Sequence, residues 1–338
     1  MTDSFRAFVI DRHPDGEGPQ TAWQDLTDAE LMDGDVTVRV THTTLNYKDA
    51  LAVTGRSPVV RRFPMIPGID LAGIVLASSA PGFAAGDEVI LNGWGVGEKH
   101  MGGYAERARL RSEWLLHVPR GLTSADCMAI GTAGYTAALC VGRLLSACCA
   151  PGDGPVLVTG ASGGVGSFAV ALLAAQGFEV IASTGKADEA EYLKALGASD
   201  VLDRAEFAAK GRPLGKERFA AAVDSVGGQT LANVLSQTRY GGTVAACGLA
   251  QGFDLPATVM PFILRGITLA GVDSVMAPLP LRAAAWEMLS ERLDRDLLGR
   301  ITRTERLQDV ESLAVALLDG RIRGRILLTV PGALPPAA

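Results

Sequence analysis

A single stretch decides the fold: Val156-Leu157-Val158-Thr159-Gly160-Ala161-Ser162-Gly163-Gly164-Val165-Gly166-Ser167. It begins as a short apolar run typical of a buried strand, passes through a glycine-rich turn and continues into a helical segment at 167–176. Glycines allow a tight turn and let backbone N–H groups approach a pyrophosphate, while the start of the helix adds unpaired donors and a positive dipole. A glycine pattern alone would also suit a structural turn. Here the strand, the glycine turn and the helix follow one another in the order of a dinucleotide-binding unit, so we expect a dinucleotide-binding site.

Strands and helices continue to alternate after this turn. Further strands are predicted at 179–183, 220–224, 242–246 and 267–272, and further helices at 187–196 and 281–293. Connections of this length are the ones that parallel strands require. The alternation therefore predicts a doubly wound parallel sheet.

The chain before residue 127 has a different pattern. Residues 36–41 alternate apolar and polar side chains, as a half-buried strand does, and strands at 69–77 and 87–91 are separated by Gly and Pro turns. These features predict an antiparallel or barrel-like β domain. A closing strand at 325–330 is predicted to return to it.

The end of the second alternating strand indicates which nicotinamide cofactor is bound. Sites that prefer NAD usually place an acidic residue there to bind the ribose hydroxyls. This strand ends Ser183-Thr184-Gly185-Lys186, and the first carboxylate comes only at Asp188. Lys186 suits a 2′-phosphate, and Arg204 at the end of the next strand is expected to reach the same pocket. NADPH is therefore the expected cofactor.

Composition restricts the class of protein. A length of 338 residues predicts two domains, and a net charge of −6 disfavours nucleic-acid binding as the main task. The amino terminus lacks the pattern of a secretory signal, and the apolar stretch 127–150 is interrupted by glycines and an arginine, which predicts a buried helix rather than a membrane span. Five cysteines without framework spacing predict free thiols, buried at Cys148 and Cys149, in a reducing compartment. The cytoplasm is the expected location.

A metal centre is not expected. Zinc requires thiolate, imidazole or carboxylate ligands in a tetrahedral set. Residues 1–126 contain no cysteine, and the spacing of the four histidines, His13, His42, His100 and His117, does not suggest a shared ion. Alcohol oxidation of the zinc-dependent type is therefore disfavoured.

Several further segments identify a family. They are Thr43-Thr44-Leu45-Asn46-Tyr47-Lys48-Asp49-Ala50-Leu51, Phe63-Pro64-Met65-Ile66-Pro67-Gly68-Ile69-Asp70, Gly93-Trp94-Gly95-Val96-Gly97-Glu98, Gly131-Thr132-Ala133-Gly134-Tyr135-Thr136-Ala137 and Val259-Met260-Pro261-Phe262-Ile263-Leu264-Arg265. Together with the glycine turn, they resemble the medium-chain dehydrogenase/reductase superfamily, within its zinc-free, quinone-oxidoreductase-like branch and the acrylyl-CoA reductase subgroup. The resemblance covers essentially the whole chain.

This resemblance implies a fold and an activity. The fold would be α/β, with a GroES-like β-barrel catalytic domain at 1–126, a Rossmann NADPH-binding domain at 127–275 and a return to the catalytic domain at 276–338. The activity would be NADPH-dependent reduction of acryloyl-CoA to propanoyl-CoA. The partner would be a small-molecule CoA thioester, with no nucleic acid or membrane, and the chain would form a homodimer.

The resemblance also implies contacts with the cofactor. Tyr47 matches a tyrosine beside the nicotinamide. The other matched positions are Ser162, Gly163, Gly164 and Val165 at the pyrophosphate, Thr184, Gly185, Lys186 and Arg204 at the 2′-phosphate, and Leu249, Ile263 and Ser274 along the nicotinamide half. The terminal segment of this chain carries Arg321, Arg323 and Arg325, so no cofactor contact is carried over to it.

The chemistry suggests roles for Asn46 and Tyr47. Hydride addition to the β carbon of a conjugated thioester places negative charge on the thioester oxygen, and a proton must then reach the α carbon. We expect Asn46 and Tyr47 to hold the cofactor ring and that oxygen, with Tyr47 as a candidate acid. In the alternative, Asn46 hydrogen-bonds to the loop backbone, Tyr47 only packs against neighbouring side chains, and water supplies the proton. Asp49 and Asp70 are expected to be structural.

Arg56, Arg61 and Arg62 are candidates for the CoA phosphates, and Trp94 is a candidate wall of the substrate pocket. Two other functions remain open at this point. The same hydride site would serve an NADPH:quinone or enone oxidoreductase, and a non-catalytic protein could keep only the cofactor site.

Overall fold

The computed structural model describes residues 4–13, 15 and 18–332. The strands are β1 (Ser4–Arg12), β2 (Pro19–Thr27), β3 (Val36–Thr44), β4 (Asp70–Ser78), β5 (Glu88–Asn92), β6 (Arg107–Leu110), β7 (Leu116–His117), β8 (Val156–Thr159), β9 (Val180–Thr184), β10 (Asp200–Asp203), β11 (Phe219–Asp224), β12 (Thr238–Ala246), β13 (Thr268–Gly271), β14 (Thr302–Arg306) and β15 (Arg325–Thr329). The helices are α1 (Tyr47–Thr54), α2 (Ser124–Ser146), α3 (Gly164–Ala175), α4 (Ala190–Ala195), α5 (Gly228–Gln237), α6 (Met260–Arg265), α7 (Leu279–Arg292), α8 (Arg295–Ile301) and α9 (Val310–Leu318).

The chain forms two compact units. The first contains the residues up to Thr132 and those from Thr302 onward, and the second is Ala133–Ile301. The sequence predicted boundaries at 126/127 and 275/276. The second boundary lies later in the structure because α7 and α8 pack against α3 of the second unit.

The first unit is built on a largely antiparallel sheet, as expected, in which β14 and β15 pair in parallel. The strand order is β14-β15-β3-β4-β5-β7, and β6 pairs with β3. Strand β3 begins with alternating buried and half-buried residues, so one of its faces lies on the core. The return of the closing strand is confirmed, because β15 pairs antiparallel with β3. This GroES-like unit therefore uses both ends of the chain.

The second unit is a doubly wound parallel sheet, which confirms the predicted Rossmann fold. Its strand order is β10-β9-β8-β11-β12-β13, and every pair is parallel. Strand β8 is the first in the chain and lies between β9 and β11, so the direction of winding reverses beside it. In such sheets the crevice at the carboxyl end of the strands next to this reversal binds the ligand.

Helix α2 contains the most apolar stretch of the chain. It is long and apolar enough to cross a membrane by composition, but 72% of its most apolar window is buried within the protein. Gly131 has φ 52° and ψ −163°, which interrupts the helical geometry near the point where the two units divide. The prediction of a buried helix is confirmed. All five thiols are free, but the predicted burial is wrong for Cys148, which is exposed just beyond the end of α2, and the neighbouring Cys149 is only half-buried.

Candidate active site

The glycine turn lies at the carboxyl end of β8 and leads directly into α3. Gly160 has φ 60°, and a Cβ there would lie 2.6 Å from the Ser225 hydroxyl. A Cβ at Gly166 would meet the carbonyl oxygen of Gly160 and would lie 2.5 Å from Cα of Ala161. Larger residues would therefore push the start of α3 away from β8. The turn thus presents the first amides of α3 as an anion-binding cradle suited to a pyrophosphate.

Two hydroxyls join this turn to the end of β9. The Ser162 and Thr184 side-chain oxygens lie 3.0 Å apart and are hydrogen-bonded, and both side chains are buried. The Thr184 hydroxyl also accepts a hydrogen bond of 3.2 Å from the Lys186 amide. The predicted pyrophosphate and 2′-phosphate residues therefore lie side by side.

Arg204 completes the cationic end of this site. A Cβ at Gly185 would meet the Arg204 side chain, with Cδ at 2.5 Å and Cζ at 2.7 Å, so the guanidinium lies over the backbone that follows β9. Arg204 is exposed and Lys186 is half-buried. Two cations and a hydroxyl at this position suit a phosphate dianion.

The remaining predicted cofactor residues occupy different places in the second unit. Leu249 follows β12, and its Cα would lie 3.2 Å from a Cβ at Gly227. Ser274 follows β13, and its carbonyl accepts a 3.2 Å hydrogen bond from Arg282. Both follow carboxyl ends of strands and therefore lie at the sheet edge that carries the glycine turn. Ile263 lies on α6 and is 72% exposed, and its contact with the cofactor stays a prediction.

Asp224 is a residue of this edge that the sequence reasoning missed. It ends β11 and is fully buried, and it accepts hydrogen bonds of 2.6 Å from the Thr159 hydroxyl and 2.8 Å from the Gly227 amide. Burial raises the pKa of the Asp224 carboxyl. These bonds tie the ends of β8 and β11 together. An aspartate ending an apolar strand was the available signal.

In the first unit, Asn46 and Tyr47 open α1. Asn46 is the residue before the helix and is buried, whereas Tyr47 is the first helical residue and its side chain is 53% exposed. Asp49 accepts the Asn46 backbone N–H at 2.9 Å, the bond expected of a capping residue in the first turn. The two neighbours therefore differ: Asn46 faces the interior and Tyr47 is accessible.

The side-chain amide of Asn46 is fully engaged within the protein. Its Nδ2 donates to Asp49 at 3.1 Å and to Asp70 at 2.8 Å, and its Oδ1 accepts from Arg325 at 2.8 Å. An amide has two N–H donors, so none is left for a thioester oxygen. The geometry thus favours the alternative in which Asn46 orders the loop, and a direct contact of Asn46 with substrate stays a prediction.

A buried ion pair organises this region. Arg325 on β15 lies 3.8 Å from Asp70 on β4, with side chains 4% and 0% exposed. Asp70 also accepts hydrogen bonds from Asn92 at 2.8 Å and from the Thr132 amide at 2.8 Å, and Arg325 donates to the Thr44 hydroxyl. The sequence alone predicted no role for Arg325. A single arginine within the apolar closing strand was the signal that could have found it.

Asp49 adds a second carboxyl to this cluster. It accepts the Ile69 amide at 3.0 Å. Burial first, and then the nearby Asp70, raise the pKa of the Asp49 carboxyl to about 7, although the hydrogen bonds from Asn46 and the Ile69 amide act in the opposite direction. Asp49 and Asp70 both hold loop backbone, as the expectation of structural roles requires.

No three His, Cys, Asp or Glu side chains among residues 4–13, 15 and 18–332 are arranged to hold a metal ion. His100 uses its Nε2 in a 2.7 Å hydrogen bond with the carbonyl of Arg109. His117 makes a similar contact of 3.0 Å with the carbonyl of Gly82.

The candidate substrate residues are spread over the first unit. Arg56 follows α1 and forms an exposed 3.4 Å ion pair with Asp319, while Arg61 and Arg62 are exposed on the segment that follows. Trp94 has φ 57° and packs half-buried against the core of this unit. A role as pocket wall stays a prediction for Trp94.

Comparison with known proteins agrees with this architecture. Residues 32–120 match the model of the alcohol dehydrogenase GroES-like domain, and residues 164–291 match that of the zinc-binding dehydrogenase. These two matches correspond to the two units.

Individual relatives match over nearly the whole chain. A protein of Escherichia coli strain K12 named "Probable acrylyl-CoA reductase" is 53% identical, covering 91% of this chain and 94% of its own length. The acrylyl-CoA reductase of Ruegeria pomeroyi is 46% identical, covering 96% and 99%. The crystal structure of the YhdH oxidoreductase from Salmonella enterica in complex with NADP is 51% identical, covers 96% of this chain and 99% of its own, and gives a TM-score of 0.94.

Proposed function

Because the chain belongs to the medium-chain dehydrogenase/reductase superfamily and to its acrylyl-CoA reductase subgroup, we propose that it reduces the carbon–carbon double bond of acryloyl-CoA to give propanoyl-CoA, using NADPH. The observation that carries the choice of NADPH is the combination of a pyrophosphate cradle at Gly160–Gly166 with cations beside Thr184, and the relatives named acrylyl-CoA reductase carry the choice of acceptor. The enzyme is an oxidoreductase that acts on a CH–CH group.

We propose that the dinucleotide is held by residues of the second unit. The amides of Ser162, Gly163, Gly164 and Val165 would bind the pyrophosphate, and Thr184, Gly185, Lys186 and Arg204 would bind the 2′-phosphate. Leu249, Ile263 and Ser274 would line the nicotinamide half. When bound, the reduced nicotinamide supplies the hydride that adds to the β carbon of the acceptor.

Asn46 and Tyr47 would act on the reaction in different ways. Asn46 is a positioning residue, because its amide links Asp49, Asp70 and Arg325 and so fixes the start of α1. Tyr47 is held by this helix start with an exposed phenol. Its O–H can donate to the thioester oxygen where negative charge develops, which is the contribution expected of a fixed donor.

A panel of acceptors tests the proposed reaction. With NADPH in excess, acryloyl-CoA should be reduced faster than crotonyl-CoA and faster than benzoquinone, followed as loss of absorbance of the reduced nicotinamide. Preference for benzoquinone would instead identify a quinone reductase. Tight NADPH binding without oxidation by any of the three acceptors would identify a cofactor-binding protein.

Replacing Tyr47 with phenylalanine tests whether the phenol O–H of Tyr47 takes part in the reaction. The ring remains, and only the O–H donor is lost. We expect kcat on acryloyl-CoA to fall about 10- to 100-fold, the effect of one hydrogen bond to a developing charge, with NADPH affinity changed little. Phe83→Leu, at a half-buried ring between β4 and β5, is the control for a general effect of aromatic loss in this unit. An unchanged kcat in Tyr47→Phe would remove Tyr47 from the chemistry.

We also propose that the enzyme acts as a cytoplasmic homodimer. Strand β13 lies at the edge of the parallel sheet, and an unpaired edge favours pairing with a second copy. Exposed apolar side chains accompany this edge on and beside α6: Val259 (67%) and Leu264 (56%). The five free thiols support a reducing compartment.

A further inference from the structure

The first unit contains a cavity whose lining includes one of the candidate CoA residues, Arg56. Its volume is about 490 Å³, within the usual range for small-molecule sites. It lies between the end of α1, the antiparallel pair of strands β1 and β2, and the segment that follows α1. Its lining includes Arg12, Pro19, Gly55, Arg56 and Phe63.

The chemistry of this cavity suits a phosphorylated aromatic ring. The Arg12 guanidinium lies 5.4 Å from the centre of the Phe63 ring, which places a flat cation and an aromatic side chain in one wall. Planar cations and aromatic rings both stack on nucleobases. The segment 55–63, Gly-Arg-Ser-Pro-Val-Val-Arg-Arg-Phe, contains three arginines and no acid, and of these Arg56 lines the cavity.

Arg56 is available to bind an anion. Its ion pair with Asp319 is long, at 3.4 Å, and its side chain is 49% exposed. Asp319 has a closer partner in Arg321, at 2.9 Å, and that hydrogen bond is the main cause of the lowered pKa of the Asp319 carboxyl. A phosphate can therefore replace Asp319 at Arg56 while Asp319 keeps a cation. Exposed ion pairs of this kind contribute little stability, so replacing Asp319 by a phosphate at Arg56 should cost little free energy.

Helix α1 places this cavity at a suitable distance from Tyr47. Tyr47 is the first residue of α1, while Ala52, Gly55 and Arg56 line the cavity at its other end. Eight helical residues span about 12 Å. The pantetheine arm of CoA has about as many backbone bonds as four amino-acid residues, or about 14 Å when extended. A thioester beside Tyr47 would thus bring the nucleotide of CoA to the cavity.

We infer that this cavity binds the 3′-phosphorylated adenosine end of the CoA substrate, with Arg56 and Arg12 contacting its phosphates and Phe63 facing its base. This inference rests on the proposed function for the identity of the acyl group. Binding of the nucleotide end can be tested without it. Adenosine carrying a 2′-phosphate, as in NADPH, has the same chemical groups, so the two sources must be separated by experiment.

Direct titration distinguishes the nucleotide of CoA from that of NADPH. With the full chain saturated in NADPH, calorimetry should show binding of 3′,5′-ADP, which is the nucleotide end of CoA, and weaker binding of 2′,5′-ADP. The double variant Arg12→Ala/Arg56→Ala should weaken 3′,5′-ADP binding at least tenfold, the loss expected for charged hydrogen bonds to phosphate. Arg111→Ala removes an exposed arginine that does not line the cavity, and should leave the affinity unchanged. Equal affinities in wild type and double variant, tighter binding of 2′,5′-ADP, or no binding of 3′,5′-ADP by the wild type, would each overturn the inference.

Steady-state kinetics give the second readout. In the double variant, KM for acryloyl-CoA should rise about tenfold or more with kcat nearly unchanged, while KM for acryloyl-pantetheine, which lacks the nucleotide, should stay the same. A wild-type KM that is equal for the two thioesters would reject the nucleotide site and leave the proposed reaction standing. If the wild type reduces neither thioester, the proposed reaction fails, and the calorimetric comparison still decides whether the cavity binds the nucleotide.

Discussion

Replacing Arg325 with methionine should lower the free energy of unfolding by about 3–5 kcal/mol, the usual effect of removing one partner of a buried ion pair. Methionine keeps the length and apolar stem of arginine but leaves the Asp70 carboxylate buried without its cation. Burial lowers the pKa of the Arg325 guanidinium, while Asp70 and then Asp49 raise it. Urea unfolding measures the change as a lower midpoint with an unchanged m-value.

Arg323→Met is the matched control for this variant. Arg323 lies two positions earlier on the same segment and is exposed, so its replacement should change stability by no more than about 0.5 kcal/mol. The double variant Arg325→Met/Asp70→Asn should recover part of the lost stability, because it removes the uncompensated charge. Equal stability of Arg325→Met and Arg323→Met would show that the buried pair does not organise the region.

Replacing both Lys186 and Arg204 with alanine should weaken NADPH binding by about 100-fold or more. Each side chain is proposed to make a charged hydrogen bond to the 2′-phosphate, and such bonds contribute about 1.5–3 kcal/mol each. NADH lacks this phosphate, so its affinity should change little, and the preference for NADPH should fall by the same factor. Fluorescence titration of the two reduced nucleotides gives both dissociation constants.

Lys194→Ala tests whether any loss of positive charge near this site has the same effect. Lys194 lies on α4 and forms an exposed 3.2 Å pair with Glu191. Its removal should leave both affinities nearly unchanged. A double variant Lys186→Ala/Arg204→Ala that lost NADH and NADPH affinity equally would show that these residues shape the site without contacting the 2′-phosphate.

Most of the second unit could be predicted from local patterns. Its strands are short apolar runs, so β8, β11 and β13 fall within two residues of their predicted bounds. The first unit was harder to predict. Strand β2 is mostly exposed, with only Leu26 fully buried among residues 19–27, so it lacks the alternation that identifies a half-buried strand. The predicted helix at 187–196 starts with a 3₁₀ turn at Ala187–Glu189 before α4.

The candidate site also contains residues that local sequence patterns predict and residues that they do not. Cofactor residues could be predicted because a pyrophosphate cradle depends on neighbouring residues in one strand, turn and helix. The Asp70–Arg325 cluster could not, because Asn46 and Arg325 are 279 positions apart. A single arginine in a terminal strand has no periodicity, and only the pairing of β15 with β3 brings it to Asn46.

The sequence by itself determined the order of domains, the parallel sheet and the choice of NADPH, since each depends on residue types at short spacing. Only the tertiary structure decided that the Asn46 amide is hydrogen-bonded to two carboxylates and an arginine, and that Asp49 is buried close to Asp70. It also decided that a cavity forms beside Arg12 and Arg56. The physical reason is that hydrogen-bond saturation, burial and enclosed volume depend on groups from distant parts of the chain, whose approach is set by the packed fold as a whole.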